Sequence, residues 1–124
     1  MTATTGAAQA AAETATSAAG WVAVCAVDRL TPDRGVAALL GRMQVAVFRL
    51  ADGSLHALGN IDPFTGSAVL SRGIVGSRGA IATVASPLHK QVFDLRTGRC
   101  LDDPEVAVPV VAVRVRGGQV ELRL

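Results

Sequence analysis

The sequence predicts an all-β sandwich or barrel. Many short apolar runs are punctuated by Gly, Asp and Pro, and the longer runs near the C-terminus alternate strictly between apolar and polar residues. No segment has the length and 3.6-residue period of a substantial helix. Val120, Leu122 and Leu124 fall on one face of the last run, with Gln119, Glu121 and Arg123 on the other, and Val111, Val113 and Val115 alternate with Arg114 and Arg116 in the same way.

Taken in order, Trp21–Val27 reads as a first strand. Asp28 is placed to cap a single helical turn that Pro32 limits. Gly35–Leu40 and Met43–Leu50 read as strands around a turn at Gly41-Arg42, and Ala51-Asp52-Gly53 is a hairpin signal leading into a strand over Ser54–Gly59. Residues 60–79 contain four glycines and no clean period, so they are expected to form a long organised loop, the kind of segment on which function is often built. Strands resume at Ala80–Ala85 and Gln91–Leu95, separated by Ser86-Pro87-Leu88-His89-Lys90. After a turn at Arg96–Arg99, a hairpin of Val106–Arg116 and Gln119–Leu124 closes across Gly117-Gly118.

Composition limits the function. At 124 residues with half of them apolar, the chain suits one domain. With no Tyr, three Phe and one Trp, the core must be mostly aliphatic. A formal charge of +2 without a basic stripe or stacking aromatics argues against nucleic acid, and no run approaches the ~20 apolar residues of a membrane span. Cys25 and Cys100 are too few for a disulfide framework or a four-thiolate metal site, and are expected to be two buried thiols in a reduced cytoplasm. Residues 1–20 hold nine Ala and five Thr and no Lys or Arg, so they lack the charged start of a signal peptide and are expected to form a disordered tail ahead of a β domain at 21–124.

Two segments carry a resemblance. Asn60-Ile61-Asp62-Pro63-Phe64 and Ala85-Ser86-Pro87-Leu88-His89, the latter followed by Val92-Phe93-Asp94-Leu95-Arg96-Thr97-Gly98, resemble the two cluster-binding loops of Rieske ferredoxin domains. Those loops carry Cys-x-His and Cys-x-x-His, and the second runs into a Phe-Asp strand end and a Thr-Gly turn. The resemblance covers residues 21–124 and implies a Rieske-like ferredoxin-type sandwich or barrel with degenerate cluster-binding loops. Asp62 stands at the first Cys position, Phe64 at the first His and Ser86 at the second Cys; only His89 is of a ligand type. A Rieske centre needs two thiolates on one iron and two imidazoles on the other. Phe64 cannot bind metal, and the hard oxygens of Asp62 and Ser86 suit a sulfide-bridged iron pair poorly. An electron-carrying ferredoxin is therefore not expected.

Together with Gly35–Leu40, Gln44–Phe48, Val69–Ile74 and Lys90-Gln91, the Asp-Pro-Phe and Ser-Pro-Leu loops resemble the small subunit of the bacterial assimilatory NAD(P)H-dependent nitrite reductase. That family implies a complex reducing nitrite to ammonium with electrons from NAD(P)H. FAD, an iron–sulfur cluster and sirohaem reside on the large catalytic subunit, and the small subunit supplies no cofactor and no catalytic residue. The alternative is a cluster-free interaction module with a different partner.

With no metal joining them, the loops need other support. Pro63 and Pro87 fix φ, Asp62 and Ser86 are suited to bond turn amides, and the ring of Phe64 is expected to fill the vacated space, so that Phe64→Ala would cost about 3–5 kcal/mol if it is fully buried. Arg72, Arg78, Lys90, Arg96 and Arg99, against the single acid Asp94 between Ser71 and Cys100, form a candidate docking face for an acidic patch on the partner. His56 is expected on an exposed strand face. Ser86, His89 and Asp62 make a nominal nucleophilic trio, but without a nucleophile elbow, and one good nitrogen ligand is too few for zinc.

Overall fold

The computed structural model describes residues 20–124; the expected tail over residues 1–19 lies outside them. The described residues form nine strands in three antiparallel three-stranded sheets. One sheet has the order β1 (Val22–Ala26), β9 (Gln119–Arg123), β8 (Ala112–Arg116). A second runs β2 (Arg34–Leu40), β3 (Met43–Arg49), β4 (Leu55–Gly59), and the third β5 (Ile74–Arg78), β6 (Ile81–Ala85), β7 (Val92–Asp94). The expected all-β class holds.

Two apolar cores lie on either side of the central sheet, and the pleat of β3 and β4 divides residues between them. Ala46, Phe48 and Leu58 join Leu70, Val84, Phe93, Leu95, Cys100 and Val108 in the first core. Their neighbours Val45, Val47 and Ala57 point the other way, to Leu30, Leu40, Val111, Val120 and Leu122 in the second. This is why Val45–Phe48 reads as an unbroken apolar run rather than an alternating one: both faces of the strand are covered. Trp21 enters this fold nearly buried, with the guanidinium carbons of Arg114 and Arg123 at 4.2 and 4.6 Å from its ring centroid, and Arg114 is held in turn by Glu121 at 2.7 Å.

Several expectations are corrected. The turn after β1 is a 3-10 turn over Val27–Arg29 with Ala26 at its start and no side-chain cap; Asp28 lies inside it. Residues 60–79 are not strandless. Ile74–Arg78 pairs along its length with β6, from Ile74 opposite Ala85 to Arg78 opposite Ile81. This strand is a largely exposed edge, with no buried face to impose alternation on its sequence. Only Ala112–Arg116 of the expected long strand over Val106–Arg116 joins a sheet. Pro109 has no N–H for a ladder, and the segment before it makes isolated bridges, Ala107 to Arg99 and Val110 to Leu58, while burying Val108 and Val111. Of the two thiols, Cys100 is buried, whereas Cys25 is only partly so; that burial still pushes its thiol pKa up.

Candidate functional site: two loops joined by a buried hydrogen bond

The first loop leaves β4 at Asn60, which is buried. The Asn60 carbonyl accepts the Leu70 amide at 3.0 Å and its side-chain Oδ1 accepts the Ser71 amide at 2.7 Å, closing the base of the loop. Inside it, the Asp62 amide donates to the Ser67 carbonyl at 2.8 Å and the Gly66 amide donates back to the Asp62 carbonyl at 2.8 Å. Gly66 takes φ +76°, the left-handed conformation that lets so short a loop reverse. The second loop is shorter. The Ser86 amide donates to the Gln91 carbonyl at 2.9 Å and the Lys90 amide to the Ser86 carbonyl at 3.0 Å, with Lys90 itself at φ +62°.

Asp62 and Ser86, 24 residues apart, meet between the loops. The Ser86 hydroxyl donates to Asp62 Oδ2 at 2.6 Å, and the Phe64 amide donates to Asp62 Oδ1 at 2.8 Å. Asp62 is 0% and Ser86 1% exposed. The 2.6 Å separation fits a hydroxyl bound to a carboxylate, a class of bond about twice as strong as a neutral pair. The turn-amide role expected of Asp62 is present, and Ser86 Oγ makes a long 3.4 Å contact to the Leu88 amide. The bond joining the two side chains was not foreseen.

Phe64 corrects the expected plug. Phe64 is 38% exposed, and its ring lies beside that of the buried Phe93, centroids 6.3 Å apart and planes tilted by 51°. The space between the loops is closed by Asp62 and Ser86 instead. Ile61 and Leu88 are also about half exposed, so the loop tips present apolar side chains outward beside exposed Pro63 and Pro87.

His89 is exposed and makes no hydrogen bond to Ser86 or Asp62; the Ser86 proton points to the carboxylate, with no imidazole to receive it. The nominal trio is therefore not assembled as a nucleophilic site. His56 is half-buried rather than on an open face. Its Nε2 lies 3.2 Å from Ser54 Oγ, and burial pulls its pKa below the ordinary imidazole value.

The five basic residues are all exposed, on different elements. Arg72 follows Ser71, which is tied to the first loop by Asn60. It precedes Gly73, where an added Cβ would lie 2.5 Å from the Ala85 carbonyl next to Ser86, so Arg72 flanks both loops. Lys90 is part of the second loop. Arg96 and Arg99 occupy the turn at the opposite end of β7 from that loop, and Arg78 is paired with Asp102 at 3.4 Å. Sequence reasoning missed Asn60, although a buried Asn beside a loop aspartate is a recognisable turn signature. It also missed the outward Ile61 and Leu88, whose direction no local pattern encodes.

These residues do not fit a [2Fe-2S] cluster. Both Asp62 oxygens are committed to protein donors, the Ser86 hydroxyl is committed to Asp62, and Phe64 offers no donor atom. Among the described residues no three His, Cys, Asp or Glu side chains are gathered as a metal site.

Residues 20–123 match the Rieske-like [2Fe-2S] domain family. The chain is 44% identical over 104 residues, 83% of its own length and 96% of the relative's, to the nitrite reductase (NADH) small subunit of Escherichia coli K12. It superposes with a TM-score of 0.80 on a crystal structure named as an NADH-dependent nitrite reductase small subunit from Mycobacterium tuberculosis, at 57% identity, covering 82% of this chain and 92% of that one. A nitrite reductase [NAD(P)H] large subunit of Klebsiella oxytoca contains a stretch 42% identical over 100 residues, 81% of this chain but 10% of that protein. The chain belongs to the Rieske-like [2Fe-2S] domain family and, within it, to the small subunits of NAD(P)H-dependent nitrite reductase.

Proposed function

We propose that this chain works in the cytoplasm as the cluster-free small subunit of an NAD(P)H-dependent nitrite reductase, binding the large catalytic subunit while that subunit reduces nitrite to ammonium. FAD, an iron–sulfur cluster and sirohaem belong to the large subunit in this reading, and no electron passes through the small one. The observation that carries it is the near full-length similarity to a small subunit, combined with loops whose donor atoms are already spent on each other. The Klebsiella oxytoca large subunit, which carries a similar stretch in its own chain, supports a direct association: tethering raises the local concentration of a module that must meet its partner. The partner surface in this reading is the loop tip, where Phe64 and Leu88 are outward and Arg72 and Lys90 supply positive charge; the only acid between Asn60 and Phe93 is the buried Asp62.

The test is nitrite-dependent oxidation of reduced nicotinamide by the large subunit, with and without this chain. A rise in rate, or in survival of the activity on heating, is expected when the chain is present. Equal rates and equal heat stability would remove the reading. Reversing Arg72 and Lys90 together to Glu should weaken association about tenfold or more at low salt, with a smaller effect at high salt, because steering between exposed charges is screened. Unchanged affinity at low salt would take these two residues out of the interface.

A further inference from the structure

A Rieske domain depends on its cluster for more than electrons: four bonds from two loops to one inorganic core also hold those loops at a fixed distance. Here the same positions meet through one buried side-chain pair, the only hydrogen bond between the two loop segments among the described residues. We propose that the Asp62–Ser86 hydrogen bond has taken over this cross-linking role, and that the two residues act as a positioning pair that sets the spacing of Phe64 and Leu88 at the loop tips.

The geometry supports a clamp rather than two independent turn bonds. Each loop is closed within itself by backbone bonds, the first through Asp62, Gly66 and Ser67 and the second through Ser86, Lys90 and Gln91, so neither needs the other to form its own turn. What those bonds leave free is the position of one closed loop relative to the other. Asp62 divides its oxygens between the two jobs. Oδ1 holds the Phe64 amide in its own loop and Oδ2 holds Ser86 across the gap. Ser86 Oγ lies in turn 3.4 Å from the Leu88 amide. A short chain of polar contacts therefore connects the backbone at Phe64 with the backbone at Leu88, one outward-facing apolar residue on each loop tip. The Asp62–Ser86 bond at its centre is buried and so shielded from competition by water.

The experiment is amide hydrogen exchange on the full chain, comparing the native protein with Ser86→Ala and with Asp62→Asn. Removing the hydroxyl from the second loop should speed exchange at least tenfold at Phe64 to Gly66 in the first loop as well as at Leu88 to Lys90. Asp62→Asn should loosen the second loop reciprocally, and Ser86→Thr, which keeps a hydroxyl, should restore protection. Exchange that changes only in the loop carrying the substitution, or in neither, would overturn the clamp. If Ser86→Ala does not fold, Asp62→Asn is read by the same criterion, since it keeps the side-chain volume. The role at the tip rests on the proposed docking surface and is tested separately, by the affinity of Ser86→Ala and of Phe64→Asp for the large subunit. Coupled exchange with both affinities unchanged would keep the clamp and reject that surface. Coupled exchange with both affinities lowered supports the two together.

Discussion

Replacing Phe93 with Ala should lower the unfolding free energy by about 3–5 kcal/mol, whereas the same substitution at Phe64 should cost only about 1 kcal/mol. The two rings sit 6.3 Å apart, so the comparison is made within one neighbourhood. Phe93 is 0% exposed and belongs to the first core, where it pairs across the sheet with Val84 and across a bridge with Cys100. Its removal leaves a cavity walled by rigid strands, which cannot collapse to refill it. Phe64 is already 38% exposed, so truncation gives back less buried area and opens no enclosed void. A domain of this size has a total stability of about 5–15 kcal/mol, and the Phe93 change alone would consume a large part of it. Denaturant unfolding followed through Trp21, the single tryptophan, reads both variants. Equal losses at the two positions would mean that the Phe64 ring fills the space between the loops after all.

That contrast marks where the sequence stopped being readable. The replacement of ligand residues was visible at Asp62, Phe64 and Ser86 because the surrounding Asp-Pro-Phe and Ser-Pro-Leu patterns fix the alignment. The direction of the Phe64 side chain was not visible. It follows from the Phe64 amide turning in to bond Asp62, and that depends on a loop conformation set by Gly66 and Ser67. Asp62 and Ser86 were each legible as residues that bond turn amides, but their pairing joins points 24 residues apart and has no local signature. The β3–β4 hairpin was legible because Ala51-Asp52-Gly53 supplies turn chemistry and both flanking strands are apolar. β5 was not, since an exposed edge strand containing Gly76 and Ser77 has no buried face and looks like the loop before it. The basic residues show the same limit. They are close in sequence, yet β7 carries Arg96 and Arg99 away from the loop that holds Lys90.

The Thr-Gly turn that contributed to the resemblance has a physical cause, and it predicts a second large effect. Gly98→Ala should destabilise the protein by about 3 kcal/mol or more, while Gly117→Ala should cost about 1–2 kcal/mol. Both glycines have positive φ, +76° and +59°, so both substitutions carry the penalty of placing a Cβ in the left-handed region. They differ in what the new atom meets. At Gly117 there is nothing within 4 Å, but at Gly98 the Cβ would lie 2.2 Å from the Val108 carbonyl oxygen and 3.1 Å from Val110 Cγ2. Backbone cannot yield as a flexible side chain can. The Val108 amide also donates to the Gly98 carbonyl at 2.8 Å, and the Gly98 amide donates to the Asp94 carbonyl at 2.8 Å, so moving the two segments apart strains the bonds that dock residues 106–111 onto the turn. That segment buries Val108 in the first core and Val111 in the second, so a shift there disturbs both. Subtracting the Gly117 loss from the Gly98 loss, each from denaturant unfolding, removes the shared conformational penalty and leaves the cost of the backbone contact. A difference near zero would mean that the turn and the segment at Val108 can separate freely, and that glycine is needed at position 98 for its φ alone.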